Sequence, residues 1–221
     1  MKLKSIKKDI PAELYKVLDK CKIVELRPCQ KKAIKSGLLD GKNLLICTPT
    51  ASGKTLIAEL GGLKSILDQR GKAVYIVPLK SLALEKYKDF KKKYSHLCNV
   101  GVAIGDLDKR DDYLSNYDLI ICTSEKLDSL IRHHAAWLQH VGVVVIDEIH
   151  LLNDVGRGPT LEILITILRR LLKNVQIIGL SATIGNPKEL AAWLDAKLVI
   201  DNWRPVELKK GVMFDGKVKY Y

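Results

Sequence analysis

The stretch TPTASGKT, Thr48 to Thr55, follows the short apolar run Asn43 to Cys47 and precedes LIAELGGLKSIL, so it reads as strand, loop and helix. Small residues in such a turn let successive backbone N–H groups point at one phosphate chain, and the helix N-terminus beyond adds partial positive charge. Lys54 would reach the β- and γ-phosphates, and the Thr55 hydroxyl would ligate the magnesium ion bridging them. Thr48, Pro49, Thr50, Ala51, Ser52 and Gly53 would form the cradle, with Thr48 standing where the pattern G-x-x-x-x-G-K-[ST] has its first glycine. Alone, the stretch also fits a Gly/Ser turn before an ordinary helix with an exposed lysine. The expectation is a bound nucleoside triphosphate.

A second site supports the first. Val143 to Ile146 is a β-branched run that ends in Asp147, Glu148, Ile149 and His150. Two acids at the tip of such a strand are costly unless they meet a cation or a polar ligand. Asp147 can hold magnesium through water, and Glu148 can orient and deprotonate an attacking water. Together these imply hydrolysis rather than storage of the nucleotide.

Around this pair, β-rich runs at 43–47, 73–77, 100–104, 119–123, 143–146, 176–180 and 197–200 alternate with helical patterns. That alternation predicts an α/β fold with a parallel sheet covered on both faces and its ligand at the strands' carboxyl ends. One helix is expected from Thr160 to Leu172, where nearly continuous leucine and isoleucine argue for packing. With 221 residues and 47% apolar content, one α/β core is expected. Residues 1–23 read as a charged lead-in helix started by Pro11, residues 24–202 as the nucleotide-binding domain, and residues 203–221 as the start of a polar, glycine-containing linker.

The motifs in order resemble the first motor domain of a superfamily 2 nucleic-acid helicase, a RecA-like P-loop domain. LRPCQKKAI, Leu26 to Ile34, is similar to the Q motif, which implies that the Gln30 amide reads adenine and that ATP is the nucleotide. VPLKSLALEKY (Val77 to Tyr87) and TSEKLDSLIR (Thr123 to Arg132) are similar to motifs Ia and Ib. The resemblance implies that Lys80, Ser81, Thr123, Ser124 and Lys126 hold the sugar–phosphate backbone of one strand without reading its sequence. SATIGN, Ser181 to Asn186, resembles motif III, which implies a hydrogen-bonding pair, Ser181 and Thr183, that with His150 couples hydrolysis to movement.

DEIHLLNDVGRGPTLE, SATIGNPKELAAWL and WRPVELKKGV look like the Ski-like DExH branch, most closely its archaeal DNA-repair helicases. That resemblance implies 3′ to 5′ translocation on single-stranded or forked DNA; an RNA helicase of the same branch fits the same motifs. A nucleic-acid-binding module with a silent nucleotide site is a third reading. Because such helicases take their arginine fingers from a second motor domain, and no QxxGRxGR-like segment occurs here, weak nucleotide binding, slow hydrolysis and no unwinding are expected of this chain.

The 37 Lys+Arg against 25 Asp+Glu, a net charge of +12, suit a polyanionic partner. The lysines cluster at 2–8, 86–93 and 209–219, and each cluster reads as a solvated face. Five cysteines without a CxxC pair read as reduced thiols. Trp137, Trp193 and Trp203 read as packing anchors, and His133 and His134, being adjacent, share no ligand role. No secretory signal and no run of about 20 apolar residues is present, so a cytoplasmic protein off the membrane is expected.

Overall fold

The computed structural model describes residues 1–105, 112–172 and 174–220. Seven strands build one sheet: β1 (Leu44–Cys47), β2 (Lys72–Val77), β3 (Val100–Ala103), β4 (Leu119–Thr123), β5 (Val141–Ile146), β6 (Gln176–Ser181) and β7 (Lys197–Ile200). Their spatial order is β3-β4-β2-β5-β6-β1-β7, and every neighbouring pair is parallel. The expected runs therefore become strands, with ends moved by at most two residues. Strands 1, 2, 4, 5 and 6 are buried on both faces for most of their length, which is why they read as β-branched runs and not as alternating patterns.

Side chains nonetheless alternate between two cores. Leu44, Ile46, Tyr75, Val77, Val143, Val145, Ile178 and Leu180 point to one face. There they meet α1 (Ala12–Lys20), α2 (Pro28–Lys35), α3 (Lys54–Leu67) and α4 (Lys80–Tyr94), whose buried residues include Leu14, Leu18, Ala33, Ile57, Leu60 and Phe90. Leu45, Cys47, Val74, Ile76, Val144, Ile146 and Ile177 point to the other face. That face is covered by α5 (Ser124–Arg132), α6 (Gly158–Leu171) and α7 (Pro187–Trp193).

Helix α6 starts two residues before its expected position, because Pro159 fits the first turn. It buries Leu161, Leu164, Ile165 and Leu168 but leaves Ile163 and Leu171 about half exposed, so the continuous apolar run is only partly core. The lead-in residues 1–23 share the first core: Leu3, Ile6, Ile10, Leu14 and Leu18 are buried in it. The Leu3 and Leu26 N–H groups bond the carbonyls of Val24 and Met1.

Residues 203–221, which the sequence reads as the start of a polar linker, carry a hairpin. Gly211–Phe214 (β8) and Lys217–Tyr220 (β9) pair antiparallel around Asp215 and Gly216, both at positive φ. Asp-Gly between such residues is a strong hairpin signal, and the linker reading passed over it.

Candidate nucleotide site

All the expected motifs lie at the carboxyl edge of the sheet. The Thr48 N–H donates to the Ser181 carbonyl (3.2 Å), extending the β1–β6 pairing by one residue into the loop. Thr48 is fully buried, and its hydroxyl lies 2.7 Å from that of Ser52, closing the loop from inside. This accounts for a threonine in the first-glycine place: its side chain faces the protein.

The start of α2 then holds three consecutive loop carbonyls. The Arg27 guanidinium donates to Ala51 O, the Cys29 thiol to Ser52 O (3.3 Å) and the Gln30 amide to Gly53 O (2.9 Å). The Ser52 N–H turns back on the Pro49 carbonyl (3.4 Å), so with these carbonyls held by α2 the loop is closed into a tight turn. Ala51 (φ 61°) and Gly53 (φ 97°) take left-handed conformations to make this turn. The Lys54 ammonium folds back on the carbonyls of Thr48 (2.9 Å) and Pro49 (3.3 Å).

On the facing strand, the Asp147 N–H donates to Ile76 O (2.9 Å), so β2 holds the first acid in line. The Asp147 carboxylate accepts from the Tyr75 hydroxyl (2.8 Å) on one oxygen and from the Glu148 N–H (3.1 Å) on the other. Burial, then the adjacent Asp147 charge, raises the Tyr75 pKa well above the usual phenol range, so this hydroxyl stays a donor. Glu148 sits at φ 53°, an uncommon conformation for a non-glycine residue and one that functional sites collect. His150 Nδ1 lies 3.3 Å from Glu148 Oε2 without the alignment of a hydrogen bond, and that nitrogen is otherwise buried and unpaired.

Arg27, Lys54, Thr55, Lys86, Asp147 and Glu148 line one cavity of 450 Å³, with Pro205 at its rim. Thr55 and Asp147 thus offer a hydroxyl and a carboxylate to the same space, a hard-oxygen set that suits magnesium. A cation already marks the place: the Lys86 ammonium lies 3.3 Å from the Thr55 hydroxyl. A larger cleft of 730 Å³ opens at the strands' amino ends beside Arg70, His134, Leu138 and His140, but among the described residues no carboxylate lines it, and it takes in no residue of the loop.

Several expected residues sit differently from their sequence reading. Gln30 is only 3% exposed, and its amide donates to Gly53 O and accepts from the Arg27 N–H, so it braces the loop. The Ser181 hydroxyl is buried with no hydrogen-bond partner among the described residues, and Thr183 is exposed. Of the five backbone-binding residues, Lys80 and Ser81 are exposed at the start of α4, whereas Thr123, Ser124 and Lys126 are buried. The Thr123 hydroxyl caps α5 by accepting from the Lys126 N–H (3.4 Å).

The model of the DEAD/DEAH box helicases matches residues 27–190, from the loop brace through α7. The chain belongs to that family. Among relatives, the "ATP-dependent DNA helicase Hel308" of Methanococcus vannielii is 54% identical over 92% of this chain and 28% of its own length. The protein of the same name from Pyrococcus horikoshii is 53% identical over 95% of this chain and 29% of its own. The chain therefore spans under a third of these DEAD/DEAH relatives. The crystal structure of the DUF1998 helicase MrfA bound to DNA superposes with a TM-score of 0.75 at 28% identity, over 88% of this chain and 30% of that one. The structure also brings in four residues given no role in the sequence reading: Arg27 and Cys29 hold loop carbonyls, Tyr75 holds the Asp147 carboxylate, and Lys86 lies against the Thr55 hydroxyl. Lys86 had been read as one of a run of solvated lysines.

Proposed function

We propose that this chain is the ATP-binding motor domain of a DNA helicase or translocase that moves 3′ to 5′ along single-stranded or forked DNA in repair or replication restart. One observation carries the reading: the β1 loop, with Lys54 and Thr55, and the β5 acids, Asp147 and Glu148, meet in one 450 Å³ cavity. The relatives named as ATP-dependent DNA helicases support DNA as the track, and RNA is the outcome a competition assay would expose.

In this reading residues 24–202 form motor domain 1, and residues from 203 lead toward a second motor domain. Lys54 binds the β- and γ-phosphates, backed by the loop from Thr48 to Gly53. Thr55 and Asp147 hold magnesium, which when bound neutralises charge on the phosphates. Glu148 orients the attacking water and takes its proton. His150, Ser181 and Thr183 link this site to the strand, and Lys80 and Ser81 are placed to meet its phosphates first. Thr123, Ser124 and Lys126 would join after local opening.

A thermal melt tests this. With a magnesium–ATP analogue at about 100 times its dissociation constant, the wild-type chain should gain roughly 2.7 kcal/mol, read as a rise of a few degrees in Tm. Lys54→Ala should lose the rise. The same rise in both proteins, or none in a chain that includes a second motor domain, would overturn the reading.

A further inference from the structure

Beyond its first residue, Lys80, helix α4 carries lysines at 86, 88, 91, 92 and 93, and they are not equivalent. Ala83 and Phe90, three residues before and four after Lys86, are buried against the sheet. Lys86 and Lys93 share that inner side and are half-buried, whereas Lys88, Lys91 and Lys92 are exposed. Lys93 is explained by its partner, the buried Glu59 carboxylate at 2.7 Å. Lys86 has no carboxylate within 4.0 Å among the described residues, and its ammonium is given one neutral hydroxyl, Thr55 Oγ1, at 3.3 Å. An ammonium has three donors and loses solvation when half-buried, so a single long contact leaves it under-satisfied.

We propose that Lys86 is a second phosphate-binding lysine of this site, contacting the terminal phosphate of a nucleoside triphosphate from the wall opposite the loop. The inference rests on the nucleotide reading above. Lys86 reaches the cavity from α4, while Lys54, held on the loop carbonyls, reaches it from the start of α3. The Thr55 hydroxyl is the oxygen that would take the metal between the last two phosphates, so an ammonium 3.3 Å from it stands beside that end of the chain. With the hydroxyl given over to a metal, the Lys86 ammonium would be free to meet the terminal phosphate. A diphosphate offers it nothing at that place, so Lys86 separates ATP from ADP.

The test is equilibrium binding of a fluorescent, non-hydrolysable ATP analogue and of fluorescent ADP, with and without magnesium, to the 221-residue chain. Variants are Lys86→Ala, Lys86→Gln, Lys86→Arg, Lys54→Ala and, as a surface control, Lys88→Ala. Losing one charge-assisted contact should weaken the triphosphate about tenfold and the diphosphate less than twofold. The triphosphate loss should be greater without magnesium. Lys86→Arg should retain most of the affinity and Lys88→Ala all of it. Lys86→Gln keeps the stem and decides the matter if Lys86→Ala melts early. Equal loss for both nucleotides, or no loss while Lys54→Ala abolishes binding, overturns the Lys86 assignment alone. A wild type that binds neither nucleotide, even in a chain that includes a second motor domain, or a Lys54→Ala variant that binds as well as wild type, overturns the nucleotide reading and this inference with it.

Discussion

Gly53 has no room for a side chain: a Cβ there would lie 2.5 Å from the Gln30 amide nitrogen and 3.0 Å from Arg27 Cδ, at φ +97°. Gly53→Ala carries about 1–2 kcal/mol of left-handed strain and must also push aside two of the three groups that hold the loop carbonyls. Nucleotide affinity should fall at least tenfold with a Tm loss of a few degrees, checked by titration and melting. Near-native affinity would show that the α2 brace is dispensable. Burial pushes the thiols of Cys47 up to about 11 and those of Cys98 and Cys122 to about 12, from an ordinary 9.0. Each therefore contributes stability that is whole below pH 9 and is lost between 9 and 11–12, because the unfolded chain releases these protons first. Urea melts from pH 8 to 10.5 should show a falling midpoint above 9, and in the folded protein alkylation should reach the exposed Cys21 first. Lys54, Thr55, Asp147 and Glu148 were readable because their chemistry is stated by neighbours in the chain. Arg27, Cys29, Tyr75 and Lys86 were not, since their partners lie 24, 23, 72 and 31 residues away.

Among the elements, α5 is a nine-residue helix whose first turn depends on one hydroxyl. Thr123→Ala removes the cap on the Lys126 N–H and should cost about 1 kcal/mol, lowering Tm by a few degrees without changing the strands. An unchanged Tm would mean that packing of Leu127 and Leu130 alone sets the helix. The strands were legible because doubly buried strands need unbroken apolar runs, as in Val143 to Ile146. Hairpin β8–β9 was legible only in its Asp215-Gly216 turn, because its strand residues are exposed and lack a pattern of burial; Phe214 is 83% exposed. The inner lysines of α4 were obscured for the opposite reason: charge dominated the reading of a helix whose Ala83, Phe90 and Tyr94 are buried.

At the scale of the whole molecule, the +12 net charge would make any association with single strands salt-dependent. If about three phosphates are neutralised, the slope of log K against log salt is about −2, and a fourfold rise in salt weakens binding roughly tenfold or more. Fluorescence anisotropy at two salt concentrations measures this, and a flat response would exclude the phosphate backbone as the main contact. The family and the layer architecture were readable because several motifs had to agree on one sheet edge. How the two ends of the chain pack was not, because it depends on contacts such as Leu3 against Val24 that no motif announces.

Helix α2 is attached at both ends. Arg27, Cys29 and Gln30 grip the loop, while Lys32 donates to the Ile200 carbonyl (2.9 Å) and pairs with the buried Asp201 (2.8 Å), where the chain leaves the sheet. Arg27 also stacks on Trp203, with its guanidinium 5.6 Å from the ring centre. A short rigid rod thus spans from the phosphate cradle to the departing polypeptide. Tension on residues beyond 203 would be felt at the three gripped carbonyls as a torque, and a tightening of the cradle would pull on the tether in return.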